Sequence, residues 1–80
     1  MAVFAMLAGA ELRSLLESAF PGAQIDIEDL TGGQDHYRVR IVSEHFRGVS
    51  RLAQHRLVYR ALGSRVGREV HALALDTSAP

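Results

Sequence analysis

Eighty residues, 48% of them hydrophobic and 22% charged, suit one soluble domain with a modest core, and leave no room for a second. Nine arginines balance nine acidic residues, so the net charge is zero and binding driven by bulk electrostatic attraction is disfavoured, leaving local clusters as the alternative. No cysteine is present, which excludes disulfides, a thiolate nucleophile and a self-contained cysteine metal cage; any soft ligand must come from a partner.

The opening MAVFAMLAGA is apolar for too few residues to span a bilayer and lacks the charged start of a secretory signal, so a cytoplasmic protein without membrane association is expected. One domain over residues 1–80 is expected, with loose ends at 1–5 and 77–80. From Met6 to Phe20, Leu7, Ala10, Leu15, Leu16 and Ala19 recur at roughly helical spacing, with Glu11, Arg13 and Glu17 between them. Pro21 and Gly22 then end this first helix.

QIDIED alternates, Ile25 and Ile27 against Asp26 and Glu28, as a half-buried strand does. YRVRIVS repeats the pattern, with Tyr37, Val39, Ile41 and Ser43 on one face and Arg38 and Arg40 on the other. Between them LTGGQD predicts a turn and hence a hairpin, whose polar face sets Asp26 and Glu28 against Arg38 and Arg40. SEHFRGVS predicts a short helix and a corner at Gly48, followed by an N-cap at Ser50. Arg51 to Leu62 predicts a long helix with two apolar arcs, Leu52, His55, Tyr59 and Leu62 on one and Ala53, Leu57 and Ala61 on the other, covered by the sheet and by the first helix. Gly63 and Gly67 break it. EVHALALD predicts a last strand with His71, Leu73 and Leu75 on one face and Val70, Ala72 and Ala74 on the other, paired parallel to the second strand through a right-handed crossover.

No catalytic constellation is found. Gly32 and Gly33 fall in a hairpin turn rather than between a strand and a helix, no G-x-S-x-G elbow exists, and the adjacent carboxylates Glu28 and Asp29 point to opposite faces of a strand. A non-enzyme without a small-molecule substrate is expected. The histidines at 36, 45, 55 and 71 remain. His55 suits a core arc and His45 a solvated corner. His36 and His71 both begin strands, and parallel pairing brings those starts to one end of the sheet, although the alternation sends the two side chains to different faces. Two imidazoles alone leave a tetrahedral iron or zinc site half filled.

Three motifs carry a resemblance: F-x-G-x-S at Phe46, Gly48 and Ser50, H-R-L-V-Y from His55 to Tyr59, and H-A-L from His71 to Leu73. With them, nearly the whole chain from the first helix onward resembles the BolA family of small stress-response and iron-sulfur proteins. The resemblance implies an α+β, type II KH-like fold, α-β-β-α-α-β, with a three-stranded mixed sheet covered by helices on one face. It also implies a monothiol glutaredoxin partner and a 2Fe-2S cluster shared with the glutaredoxin cysteine and glutathione, for iron-sulfur trafficking or iron and redox regulation. His71, the histidine of H-A-L, matches the family's cluster ligand. The family's second ligand, a cysteine or histidine in the first strand-to-strand loop, has no counterpart: glycine stands near position 33. Three outcomes stand at that position: His36 substitutes by a bend of the loop, which is the preferred one; Asp35 or a water does so; or the protein binds glutaredoxin without holding a stable bridging cluster. The family's second activity, transcriptional regulation by DNA binding, would fall on Arg47, Arg51, Arg56 and Arg60 of the helix-turn-helix-like segment. Neutral net charge, the spread of these arginines over more than one helix arc and the lack of a G-x-x-G loop weigh against it.

Overall fold

The computed structural model describes residues 9–30, 32, 36–63 and 72–80. Helix α1, Gly9–Ala19, leads into strand β1, Gln24–Asp29, and strand β2, His36–Val42; a 3-10 turn at Glu44–Phe46 and helix α2, Arg51–Leu62, then carry the chain to strand β3, Ala72–Ser78. The order helix, strand, strand, short helix, long helix, strand is the one periodicity predicts. The expected Leu7, Gly67 and Val70, like the expected loose end at 1–5, lie outside the described residues.

The sheet runs β1-β2-β3, with β1 antiparallel and β3 parallel to β2. Parallel pairing is what a helical crossover between consecutive strands requires, since the chain must return to the end of the sheet from which β2 started. Tyr37, Val39, Ile41 and Ser43 are all buried, as the alternation predicts, and join Ile25 on the covered face. Asp26, Glu28, Arg38, Arg40, Ala74 and Asp76 are exposed on the other.

Both helices pack on the covered face, α1 against β1 and α2 against β3, and they touch one another. In α1 the buried residues are Leu12 and Leu16, one turn apart, with Phe20 just beyond the helix; Ala10 and Ala19, expected in the core, are exposed. A single buried ridge suffices where only one side of the helix meets the sheet and α2. In α2 the buried line is Gln54, Val58 and Leu62, at four-residue spacing; of the expected arc Leu62 is buried and His55 half-buried, while Leu52 and Tyr59 are exposed, which corrects the expectation for those two. The second arc fares better, with Ala53, Leu57 and Ala61 half-buried.

The corner between β2 and α2 follows from three side chains. Phe46 is buried against Phe20, ring centroids 5.2 Å apart. Gly48 takes φ +75°, a left-handed conformation that costs other residues about 1–2 kcal/mol. Ser50 caps α2, its hydroxyl oxygen accepting from the Ala53 amide at 3.2 Å. Inside the corner the Gln54 side-chain amide donates to the carbonyls of Val49 at 2.8 Å and Phe46 at 3.3 Å, so a polar residue in the buried line is partly satisfied by a loop backbone that no ladder serves.

The expected loose end from residue 77 is corrected. Thr77 and Ser78 belong to β3, Thr77 is buried, the Ser43 amide donates to the Ser78 carbonyl at 3.0 Å, and the Arg47 guanidinium donates to the Pro80 carbonyl at 2.9 Å. Backbone pairing continues there because the chain after β2 still runs alongside. No helix among the described residues is long and apolar enough to cross a membrane.

Phe46→Ala should lower the unfolding free energy by about 3–5 kcal/mol, the usual cost of emptying a buried aromatic site. Gly48→Ala should cost about 1–2 kcal/mol from backbone strain alone, because its Cβ would meet no atom within 4 Å. Urea denaturation of the two variants checks both, and equal losses would place the corner's stability in something other than the Phe46 contact.

Candidate functional site

Two regions carry the residues singled out by the sequence: the end of the sheet where β2 and β3 begin, and the helix α2 with the turn before it. At the sheet end, the β1-β2 hairpin is closed by the Leu30 amide donating to the His36 carbonyl at 2.8 Å. Asp29 supports the turn, its Oδ1 accepting from the Gly32 amide at 2.9 Å, an Asx arrangement suited to a short chain reversal.

His36 is the first residue of β2 and is half-buried. Its register partner across the parallel pair is Ala72, the first residue of β3. The starts of the two strands therefore share one end of the sheet, as expected. His71 immediately precedes Ala72 in the chain and lies outside the described residues, as do Gly33 and Asp35.

The other two histidines are placed elsewhere. His45 is in the exposed 3-10 turn, its ring tilted against Phe20 at 6.1 Å, so it lies on an aromatic neighbour rather than standing solely in solvent. His55 is half-buried on α2, and its Nε2 is buried with no hydrogen-bond partner among the described residues. No group of three or more histidine or carboxylate side chains that could hold a metal ion occurs among the described residues.

On the open sheet face, the register sets Glu28 opposite Arg38 and Asp26 opposite Arg40, as predicted. Arg38 reaches Glu28 at 3.3 Å, both well exposed, an ion pair worth no more than about 1 kcal/mol in water. These side chains and Ile27 line a shallow depression of about 250 Å³.

The basic residues around α2 do not act as one set. Arg47 is bound at both ends of its guanidinium: Nε and Nη2 donate to the two carboxylate oxygens of Glu44 at 2.8 and 3.0 Å, and Nη2 donates to the Pro80 carbonyl as well. The hydrogen bond from Arg47 holds the Glu44 carboxyl below its ordinary value, and the same bond raises the guanidinium. Arg51, Arg56 and Arg60 are exposed and take none of the ion pairs seen among the described residues. Arg56 and Arg60, one turn apart, share a flank, whereas Arg51 lies around the helix from them in its first turn. Of the four arginines expected to meet phosphate, one is engaged and three take no ion pair among the described residues but are divided between two sides.

Gln54 and Val58 are the residues that sequence reasoning missed here. Their signal is the four-residue spacing to Leu62, obscured at Gln54 by a polar side chain.

The family model described as BolA-like protein matches residues 15–80. With that match, the fold and the motif positions in place, this chain belongs to the BolA-like family. Among relatives, it is 37% identical over 71 residues to the uncharacterized protein RP812 of Rickettsia prowazekii, covering 89% of this chain and 92% of that one. It is also 37% identical over 78 residues to human BolA-like protein 1, covering 89% of this chain but only 57% of the longer relative. A Vibrio cholerae protein described as the DNA-binding transcriptional regulator BolA is 41% identical over 46 residues, which is 58% of this chain and 43% of that protein. In structure, the BolA domain of SufE1 from Arabidopsis thaliana superposes with a TM-score of 0.82 at 31% identity, covering 90% of this chain and 91% of that one. An α+β fold with a three-stranded mixed sheet and two helices is thus the common architecture.

The Glu44 carboxyl should titrate below the usual value of about 4.3 and return to it in Arg47→Ala. Because its folded pKa is depressed, the pairing contributes above the ordinary glutamate range and is lost as pH falls through the depressed value. Carboxyl-carbon NMR titration of wild type and Arg47→Ala checks this, with the Pro80 resonances moving in step with Glu44 in the wild type alone.

Proposed function

We propose that this chain is a non-enzymatic adaptor that binds a monothiol glutaredoxin and shares a 2Fe-2S cluster with it, in iron-sulfur trafficking or iron and redox regulation. The observation that carries the reading is the register of His36 with Ala72, which sets the residue joined to His71 beside a second histidine at one end of the sheet. Membership of the BolA-like family supports it.

The donor set suits a shared centre. This chain contributes imidazoles and carboxylates and has no cysteine, so thiolates must arrive from the glutaredoxin and from glutathione. Imidazole in place of thiolate raises the reduction potential of such a cluster. His71 would donate a neutral lone pair, and His36 is the favoured second donor, since it stands at the strand start while the hairpin carries glycine at position 33. Protonation competes with metal for an imidazole near neutral pH, so binding through histidine makes the cargo releasable by a modest fall in pH. We place this activity in the cytoplasm.

Visible absorption and circular dichroism of cluster-loaded monothiol glutaredoxin with glutathione, titrated with this protein, provide the test. The expected outcome is a shifted spectrum that saturates at one equivalent and is absent with His71→Ala. A shift that survives His71→Ala overturns the role of His71, and no shift with the wild type overturns the cluster-sharing reading.

DNA-binding regulation is the second reading, favoured by Arg51, Arg56 and Arg60, which take no ion pair among the described residues, and by the Vibrio cholerae relative's description. Under it, affinity for a DNA duplex falls steeply with salt, and each arginine-to-alanine change lowers the salt slope by about 1. Salt-independent binding measured by fluorescence anisotropy would exclude it.

A further inference from the structure

Leu52 and Tyr59 are 61% and 41% exposed, the large apolar side chains that α2 turns outward. Seven residues separate them, so they lie nearly one above the other, roughly 10 Å apart along the helix axis. Arg56 and Arg60 follow them along one flank, and His55 borders the other, where the stripe meets the core. The sequence RLAQHRLVYRAL has no acidic residue, and Arg56 and Arg60 take no ion pair among the described residues. Arg13, Arg38 and Arg47 each have a carboxylate at 3.8, 3.3 or 2.8 Å, whereas Arg40 on the open sheet face, like Arg56 and Arg60, takes no ion pair among the described residues. Among the described residues, the outer face of α2 is therefore an apolar stripe with an uncompensated positive edge.

We propose that this face is a docking surface for an acidic amphipathic helix of a partner protein. Its apolar side chains would cover Leu52 and Tyr59, and its carboxylates would meet Arg56 and Arg60. Charge complementarity selects the occupant. A nucleic-acid backbone would satisfy the two arginines but bring no apolar surface to Leu52, while the α2 of a second copy would set arginine against arginine. A helix with apolar residues at three- and four-residue spacing and acids along one flank satisfies both features at once. The proposal uses neither His36 nor His71, and so stands or falls separately from cluster sharing.

Selection of helical peptides from a display library on the immobilised full chain tests it. The expected result is recovery of peptides with apolar residues in a stripe and aspartate or glutamate on one flank. Leu52→Glu should weaken their binding about tenfold or more, as loss of a central contact does. The double change Arg56→Ala, Arg60→Ala should produce a smaller loss that high salt abolishes. Both variants alter exposed side chains, and unchanged circular dichroism and melting verify that they fold. Recovered peptides that lack acids, or that bind Leu52→Glu as tightly as wild type, would overturn the proposal. So would failure to recover any peptide, and so would binding of a DNA duplex that competes the peptides away through Arg56 and Arg60 and is indifferent to Leu52→Ala. A glutaredoxin spectrum that still shifts with Leu52→Glu separates this surface from the cluster-sharing one.

Discussion

The corner between β2 and α2 is the constraint on which the rest of the molecule depends. A buried Phe46, a left-handed Gly48 and a capping Ser50 reverse the chain within five residues, so that α2 crosses back over the sheet and β3 enters parallel to β2. Gln54 holds the inside of the turn through the carbonyls of Phe46 and Val49. Without that reversal, the beginnings of β2 and β3 would not lie side by side, and His36 would have no neighbour near the H-A-L motif. The F-x-G-x-S motif is thus a structural device whose geometric result, the pairing of His36 with Ala72, lies at the opposite end of the sheet.

The same corner organises the chain's end. Ser43 extends the β2-β3 pairing to Ser78, and Arg47 ties Glu44 to the Pro80 carbonyl. Arg47 is consequently neutralised where it would otherwise have joined a basic surface. That leaves Arg56 and Arg60 beside Leu52 and Tyr59 as the charged edge of α2.

Alternation made the strands legible. Tyr37, Val39, Ile41 and Ser43 fall on one side of a pleat whatever the surroundings, and all four are buried. The bounds of α2, Arg51 to Leu62, were equally legible, because Ser50 and Gly63 are local signals of start and stop. Which arc of α2 faces inward was not. Apolar residues occupy several arcs, and the buried line passes through Gln54, whose amide is acceptable in the interior only because loop carbonyls from eight and five residues earlier meet it there. The strand at Thr77 and Ser78 was hidden for a similar reason: polar residues resemble a tail until a neighbouring strand supplies backbone partners.

The candidate site divides along the same line. The sequence by itself determined the element order, the absence of a thiolate and the residues able to donate to a metal, because these are properties of composition and of contacts between near neighbours. Tertiary structure decided that His36 registers with Ala72, that Arg47 is paired while Arg56 and Arg60 take no ion pair among the described residues, and that Leu52 and Tyr59 face outward. Each of these depends on groups distant in the chain meeting or failing to meet, and periodicity records the side to which a residue points without recording what lies there.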